Sequence, residues 1–266
     1  MPARDLHHCQ VWPTPWTGVY VTETDSARHY GRHWHATFGL GVMEAGAQRS
    51  ASGRGVVEAF AGDLIATNPG EVHDGRPLGT ASRRWRIVYL EPQVLQDLAE
   101  APDGLELTRP VFGDRALRQA LLGLLDKVQA GAPPLSCEES LVHTCGLLLA
   151  RHATCRPAPP GAAGGMQVVR ERLADLDAVP TLAELAALAG LSRFQLLRRF
   201  SQVYGLTPYA WLLQHRAERA RGLIQRGVPL SAAAAATGFA DQSHMTRVFA
   251  RLFGFTPGAL ARRPLQ

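Results

Sequence analysis

Short runs rich in apolar residues recur, between polar segments, over the first part of this 266-residue chain. Such runs are typical of β-strands. Glycine, asparagine, proline and aspartate separate the runs, as expected for tight turns. Five such runs begin at Gly18, Phe38, Gly55, Asp63 and Trp85. Several short strands at this spacing predict a β-barrel or a β-sandwich.

The apolar period changes to that of an α-helix in the next part of the chain. Asp114 precedes leucines at helical spacing, beginning with Leu117. Ser136 and Glu139 have the spacing of a capping box, which predicts the start of a second amphipathic helix. We expect the apolar faces of these two helices both to cover the barrel and to pair with a second chain.

The last hundred residues are predicted to be helical, and they contain an internal repeat. The stretch "AGLSRFQLLRRFSQVYGLTP", residues 189–208, returns as "GFADQSHMTRVFARLFGFTP", residues 238–257. The offset is 49 residues over most of the repeat and 48 at its opening glycine, so the second copy has one extra turn residue. A repeat of this kind indicates a duplicated structural unit.

The first copy has the pattern of a helix-turn-helix. Capping boxes at Thr181–Glu184 and Ser192–Gln195 predict two helices joined by a tight turn. Pro208 suits the first position of a further helix, which ends near Gly227 and Pro229. That helix would span about 27 Å and act as a rigid spacer between the two repeat units.

The late helix of each unit has one apolar face and one face available to a partner. The apolar faces are predicted to hold Leu196, Phe200 and Val203 in the first unit, and Met245, Phe249 and Leu252 in the second. The opposite faces carry Arg193, Phe194, Leu197 and Arg198 in the first unit, and Gln242, Ser243, His244 and Arg247 in the second. Arginine, glutamine and serine hydrogen-bond base edges in a major groove, and phenylalanine or leucine packs against a thymine methyl. We therefore predict that these eight residues bind DNA. The alternatives are further core packing for Phe194 and Leu197, and solvated charge for the arginines.

The distribution of charge favours the same interpretation. Residues 166–266 contain 13 arginines and six acidic residues, a net charge of +7, whereas residues 1–165 have a net charge of −2. Arginine outside the reading faces would contact phosphates and make the affinity depend on salt. We predict this role for Arg199, Arg216 and Arg251.

The composition of the chain indicates its class, and a segment rich in proline and glycine indicates the boundary between its domains. The chain is 46% apolar and 19% charged, as in soluble globular proteins, and no apolar run reaches the roughly 20 residues of a membrane span. Because the sequence shows no signal peptide, we expect a cytoplasmic protein with reduced cysteines.

The proline- and glycine-rich segment 156–165 is predicted to link a first domain, residues 1–155, to a second, residues 166–266.

The run "TLAELAALAGLSRFQLLRRFSQVYGLTPYAWLLQHRAERA", together with the second repeat, resembles the DNA-binding domain of the AraC/XylS family of transcription regulators. The resemblance implies two helix-turn-helix units on a connecting helix, with Ser192–Tyr204 and Asp241–Phe253 as recognition helices. Ala233 and Met245 stand where the family has a larger isoleucine and phenylalanine. We therefore expect looser packing and a smaller contribution to specificity from the second unit.

Three histidines in the first domain, His33, His35 and His73, fall where strands begin or end. If one strand runs through them, His33 and His35 share a face with Gly39 and Gly41, which would leave room for a ligand. The histidines could hydrogen-bond within the fold, coordinate a metal ion, or contact a small molecule.

The H-x-H and P-G-x-x-H motifs resemble the cupin barrel, whose metal-binding members have a glutamate four residues after the second histidine. Gly39 stands at that position, so we favour a small-molecule site and predict no metal, no cofactor and no catalytic residue. The segment "GDLIATNPGEVH" resembles the effector-binding and dimerisation domain of many AraC-family regulators. The predicted effector-binding residues are His33, Trp34, His35, Glu44, His73 and Trp85.

The sequence thus predicts an α+β protein with a cupin-like barrel and trailing helices, followed by an all-α DNA-binding domain. We expect a transcription regulator rather than an enzyme. Its expected partners are double-stranded promoter DNA, a small-molecule effector, a second copy of the chain and RNA polymerase, with no membrane partner. The alternatives are a cupin-type metal-dependent enzyme with a DNA-binding appendage, and a constitutive DNA-binding protein whose barrel only dimerises.

Overall fold

The structure is a computed structural model that describes residues 7–52, 54–99, 104–155, 164–175 and 179–261. These residues form two compact units, one comprising the residues up to 155 with 258–261, the other comprising 164–257. Most of the predicted linker lies outside the described residues. Its last two positions already belong to a helix, Gly164–Ala174, so the helical part begins slightly earlier than predicted.

Twelve strands occur among the described residues of the first unit. They are β1 (His7–Pro13), β2 (Val19–Ser26), β3 (Tyr30–His33), β4 (Phe38–Ala45), β5 (Ala47–Ser52), β6 (Gly55–Phe60), β7 (Leu64–Thr67), β8 (His73–Pro77), β9 (Arg83–Leu90), β10 (Leu105–Leu107), β11 (Val111–Phe112) and β12 (Ala153–Cys155). The five predicted runs correspond to β2, β4, β6, β7 and β9, which confirms them as strands.

Two antiparallel sheets form the cupin-like barrel. The larger has the order β1-β2-β9-β4-β7-β11, the smaller has the order β3-β8-β5-β6, and β10 pairs separately with β12. Met43, Trp85 and Ile87 of the larger sheet pack with Ala59 of the smaller sheet in one apolar cluster. The two sheets therefore face each other, with alternate residues of each strand pointing into the barrel.

Three helices accompany the strands: α1 (Pro92–Ala99), α2 (Arg115–Gln129) and α3 (Pro134–His152). The buried leucines of α2 and α3 pack on the outer face of the larger sheet, against residues such as Val21, Leu40 and Val88. Asp114 caps α2 by accepting a hydrogen bond from the Leu117 amide at 3.0 Å, as predicted. The predicted capping box at Ser136 is wrong. The helix α3 begins at Pro134, because proline already has the backbone φ of a first helical residue.

The remaining elements are helices. They are α4 (Gly164–Ala174), α5 (Leu182–Leu188), α6 (Arg193–Tyr204), α7 (Pro208–Gln225), α8 (Leu230–Ala236), α9 (Gln242–Phe253) and α10 (Pro257–Ala261). Four residues separate α5 from α6 and five separate α8 from α9, so the extra turn residue of the second copy is confirmed. Gly190 and Gly238 open these turns with φ of 64° and 74°, a left-handed conformation that favours glycine.

Side-chain caps determine where the two late helices begin. The capping boxes at Thr181–Glu184 and Ser192–Gln195 are both present, and Asp241 caps α9. Thr207 caps α7, whose first residue is Pro208, as the sequence predicted. The long helix α7 contacts both α6 and α9, so one rod joins the two helix-turn-helix units.

The apolar faces of α6 and α9 are largely as predicted. Leu196, Phe200, Met245 and Phe249 have no exposed area, and Leu252 is half-buried. The prediction for Val203 is wrong, since 49% of its area is exposed. The ring of Tyr204 packs on Phe200 instead, with 4.6 Å between ring centroids, and it covers the end of this core.

Candidate functional site

The reading face predicted on the two late helices is largely exposed to solvent. Arg193, Leu197 and Arg198 of α6, and Gln242, Ser243 and Arg247 of α9, all have exposed side chains. The side chain of Phe194 lies outside the described part of the structure. Because Arg198 and Arg247 occupy the same repeat position, the two units present a guanidinium group at equivalent points of their helices.

His244 differs from its neighbours on this face because it is half-buried. Its ring makes an edge-to-face contact with Phe239, with 5.4 Å between centroids. Its backbone amide donates a hydrogen bond to the Asp241 carboxylate at 2.6 Å. His244 therefore helps to fix the start of α9 in addition to bordering the reading face.

The three arginines predicted to contact phosphates do not share one environment. Arg199 and Arg251 are exposed, whereas Arg216 is only 8% exposed on α7. A Cβ atom at Gly238 would lie 2.9 Å from the Arg216 guanidinium, so this group packs directly against the turn of the second unit. The predicted phosphate contact of Arg216 is wrong in this arrangement, because its guanidinium is buried where it supports that turn.

The second candidate site is a cluster of the three predicted histidines inside the barrel. His33 of β3 and His73 of β8 are directly opposite each other in the antiparallel register. Their ring centroids are 4.5 Å apart, and the ring of His35 lies 5.0 Å from His33 and 5.3 Å from His73. One nitrogen of each ring lies within 4.8 Å of those of the other two. The three histidines that the sequence analysis assigned to one effector site therefore lie side by side.

Backbone hydrogen bonds hold the cluster in place. The Nδ1 of His33 donates to the Gly31 carbonyl at 2.7 Å, and the Nδ1 of His73 donates to the Glu71 carbonyl at 2.9 Å. The amide of Gly70, in the "NPGEVH" turn, donates to the His35 carbonyl at 2.8 Å. Since a carbonyl oxygen only accepts, both Nδ1 atoms of His33 and His73 carry the proton, and both Nε2 atoms carry a lone pair.

Burial keeps the imidazoles of His33 and His73 neutral. Desolvation, with a contribution from nearby His73, lowers the pKa of His33 to about 3. Desolvation also lowers the pKa of His73 from its ordinary value. Neutral rings present acceptor nitrogens towards the cluster throughout the physiological pH range.

The glycines beside the histidines do not leave the empty space that the sequence suggested. Residues 34–37 are not a strand, so no single strand carries the histidines and the glycines. A Cβ atom at Gly39 would lie 2.6 Å from Thr67 Oγ1, and one at Gly41 would lie 2.5 Å from an Ile87 side-chain carbon. This part of the prediction is wrong, because the glycines allow neighbouring strands' side chains to approach closely.

Aromatic residues that the sequence interpretation missed surround the histidine cluster. Tyr89 lies 5.4 Å from the His35 ring, and Tyr30 lies 6.1 Å from the His33 ring. The signal available in the sequence was strand parity, since Tyr89 is four residues from Trp85 in β9 and points to the same face. Tyr89 stacks on Tyr20 of the neighbouring strand at 4.7 Å, which extends the aromatic lining.

The other predicted effector-binding residues occupy different positions. Trp34 is buried, and Trp85 lies inside the barrel, edge-to-face with Tyr30 at 6.2 Å. Glu44 forms ion pairs with Arg86 at 2.6 Å and Arg84 at 3.2 Å. The Arg86 guanidinium also contacts Asp126 of α2, so this ion-pair network lies on the helix-covered side of the sheet. The structure therefore does not bring Glu44 to the histidines.

Two family profiles match the chain in the regions of these two sites. The profile described as "AraC-like ligand binding domain" matches residues 17–143, and the profile described as "Helix-turn-helix domain" matches residues 185–263. The chain belongs to the AraC family of transcription regulators. As an AraC-family member, it is a sequence-specific DNA-binding regulator that responds to a small-molecule effector in its cupin-like barrel.

Relatives and solved structures agree with this AraC-family membership. An uncharacterised HTH-type transcriptional regulator, YbfI of Bacillus subtilis, is 28% identical over 224 residues, which is 81% of each chain. The transcriptional activator NphR of a Rhodococcus species is 36% identical over 93 residues, 35% of this chain and 27% of that protein. A crystal structure of apo ToxT from Vibrio cholerae covers 96% of both chains with a TM-score of 0.52 at 10% identity, and so shares the fold. None of the described helices of this AraC-family chain is long and apolar enough to cross a bilayer.

Proposed function

We propose that α6 and α9 are the elements that read promoter DNA, with Arg198 and Arg247 contacting base edges. The observation that supports this most directly is the exposure of both arginines at one repeat position of two capped helices. Exposed Arg193 and Gln242 lie at the first residues of these helices. In helix-turn-helix proteins, it is the N-terminal part of the recognition helix that contacts base edges.

The spacing of the two units favours simultaneous binding. The 18-residue helix α7 contacts both reading helices, and it extends over about 27 Å. Successive major grooves on one side of a duplex are about 34 Å apart. One chain would therefore read two adjacent turns of the same face, while exposed Arg199 and Arg251 contact phosphates without sequence preference.

Replacement of Arg198 tests the reading face. Arg198→Ala is expected to weaken binding to a selected operator by about 1–3 kcal/mol, because a guanidinium paired with a guanine edge contributes that much discrimination. The measurement is operator affinity at fixed salt, with the operator obtained by selection from random duplexes. Affinity for a random-sequence duplex is measured beside it.

Arg226→Ala is the matched control, since Arg226 is exposed at the end of α7 and lies outside both reading helices. It removes the same charge and should change operator affinity less than Arg198→Ala. An equal loss on operator and random duplexes, with a salt slope lower by about 1, would assign Arg198 to phosphate instead.

The effector is proposed to bind beside the histidine cluster, in contact with the neighbouring aromatic rings. Neutral imidazoles and tyrosine rings in a buried site offer both hydrogen bonds and apolar contact to a small molecule. The effector acts by binding two arrangements of the regulator with different affinity. This role is regulatory rather than catalytic: a metal-dependent cupin enzyme would use a carboxylate at position 39, where any side chain would displace Thr67.

A second copy of the chain is the proposed partner of α3. Leu135 and Val142 on this helix are 68% and 46% exposed, although both are apolar. Exposed Glu139, Gly146 and Ala150 continue the same stripe at helical spacing, while the opposite face packs on α2 and the barrel. Apart from Glu139, the stripe consists of small and apolar residues, which favour close packing of two such helices. We also propose that the chain acts together with RNA polymerase and is located in the cytoplasm, because both are required for action on promoters.

Val142→Glu is expected to weaken dimerisation at least about tenfold, because it would bury an unpaired carboxylate. His143→Glu is the control, since His143 is exposed at the margin of the stripe and is already polar, so this change replaces no apolar contact. Sedimentation velocity over a range of protein concentrations measures the effect. Equal behaviour of both variants would remove α3 as the dimer surface.

A further inference from the structure

We infer that His33, His35 and His73 bind a divalent transition-metal ion inside the barrel, a site that reverses the preference drawn from the sequence alone. The ion would be held by Nε2 of His33, Nε2 of His73 and one ring nitrogen of His35. The inference deepens the proposed function, on which it rests for the location of the effector site.

The spacing of the three rings suits a single ion. One nitrogen of each ring lies within 4.8 Å of those of the other two, while nitrogen ligands about 2.1 Å from a tetrahedral ion are about 3.4 Å apart. Ring shifts of about 1 Å would close that difference. His33 and His73 are cross-strand neighbours, so their side chains leave the sheet on the same face and converge without any backbone change.

The hydrogen bonds of the cluster are those expected of metal ligands. Metal-bound histidines usually donate their other ring N–H to a backbone carbonyl or carboxylate, which fixes the tautomer and the ring orientation. The Nδ1 atoms of His33 and His73 donate in this way to Gly31 and Glu71. Both Nε2 lone pairs are consequently directed away from these carbonyls and available to one ion.

The donor set specifies the class of ion. Three neutral imidazoles favour Zn²⁺, Ni²⁺, Co²⁺ or Cu²⁺ over Mg²⁺ and Ca²⁺, which prefer oxygen ligands. Gly39 replaces the carboxylate of metal-binding cupins, and a Cβ atom there would lie 2.6 Å from Thr67 Oγ1, which leaves no space for a protein ligand at this position. The remaining coordination position would thus be open to an exchangeable ligand, which suits a regulator that binds a small anionic or nitrogenous effector through the metal.

Cobalt binding to the purified full-length chain, dialysed against chelator beforehand, tests the site. We expect one Co²⁺ per chain, with the intense visible absorption of a tetrahedral nitrogen site. His33→Gln and His73→Gln should each weaken Co²⁺ binding by about 100-fold or more, since even loss of an outer hydrogen bond to a ligand costs up to about 100-fold. His29→Gln and His143→Gln are the controls, because both histidines are exposed and lie outside the cluster. They should leave Co²⁺ binding unchanged.

X-ray absorption of the Zn²⁺-loaded natural chain gives an answer that does not depend on how the variants fold. Three imidazole ligands without sulfur would support the site. Absence of tight Zn²⁺ and Co²⁺ binding, sulfur ligation by a cysteine, or unchanged metal affinity in both cluster variants would overturn it.

Operator affinity, measured in the same preparations, separates this inference from the proposed function. A chain that binds neither Zn²⁺ nor Co²⁺ tightly, yet reads its operator through Arg198 and responds to organic effectors, would refute the metal site and leave the proposed function standing. A chain that binds the metal through the histidines, yet has no operator preference that depends on Arg198, would support the metal site and refute the proposed reading face.

Discussion

Phe249→Ala is expected to lower the free energy of unfolding of the second helix-turn-helix by about 3–5 kcal/mol. Phe249 has no exposed area, and its ring contacts Phe253 at 4.4 Å and Phe255 at 5.6 Å between centroids. Truncation to alanine removes the apolar area and leaves a cavity among aromatic side chains that cannot close around it. Amide hydrogen exchange along α9 in the full-length chain measures the loss, and operator binding should fall with it.

Comparison with Phe200→Ala tests whether the second unit is the looser one. Ala233 is smaller than its repeat counterpart Leu185, but Phe255 is larger than its counterpart Leu206. All four side chains are buried, so we expect Phe249→Ala to cost at least as much as Phe200→Ala. Val203→Ala, at an exposed position of α6, should change stability by about 0.5 kcal/mol or less. A clearly smaller loss at Phe249 than at Phe200 would support looser packing in the second unit.

The helical unit could be predicted closely because its signals are local. These signals are capping residues, a left-handed glycine and a proline at a first helical position, and each acts within four residues of the chain. Most of them occur in both copies of the repeat. The errors occurred where burial depends on another element. Arg216 is buried because Gly238, in the turn of the second helix-turn-helix, leaves room for its guanidinium, and periodicity along α7 contains no such information.

The barrel site was only partly predictable, since its walls come from strands that are distant in sequence. The histidines were found from their positions at strand ends and from motifs that resemble the cupin barrel. The pairing of β4 with β9 and β7, by contrast, places Tyr89 near His35 and Thr67 opposite Gly39. That pairing also explains the misjudged glycines. A glycine in a strand marks either empty space or a close approach, and the choice between them requires knowledge of the neighbouring strands.

Arg83→Met is expected to lower the free energy of unfolding of the barrel unit by about 3 kcal/mol, because it leaves buried acceptors without their donor. Arg83 is 1% exposed. Its guanidinium donates to Gln48 Oε1 at 2.9 Å and to the carbonyl oxygens of Ser26 and Arg28 at 3.3 Å and 3.0 Å. It also lies over the Trp85 ring, 4.9 Å from the centroid. Although burial lowers its pKa to about 10, Arg83 remains charged near neutral pH, so its three acceptors receive charge-assisted hydrogen bonds.

The neighbouring Arg84 provides the matched control. Its side chain is 48% exposed and forms an ion pair with Glu44, so Arg84→Met should change stability by about 0.5 kcal/mol or less. Urea unfolding, followed by amide exchange in β2, β5 and β9, measures both variants. The same side chain that stabilises the barrel also positions its site: Arg83 fixes the segment that leads into β3, and β3 ends at His33. Arg83→Met should therefore weaken effector or metal binding in chains that are still folded. Equal stability and equal binding in Arg83→Met and Arg84→Met would show that the buried guanidinium neither stabilises the barrel nor positions its site.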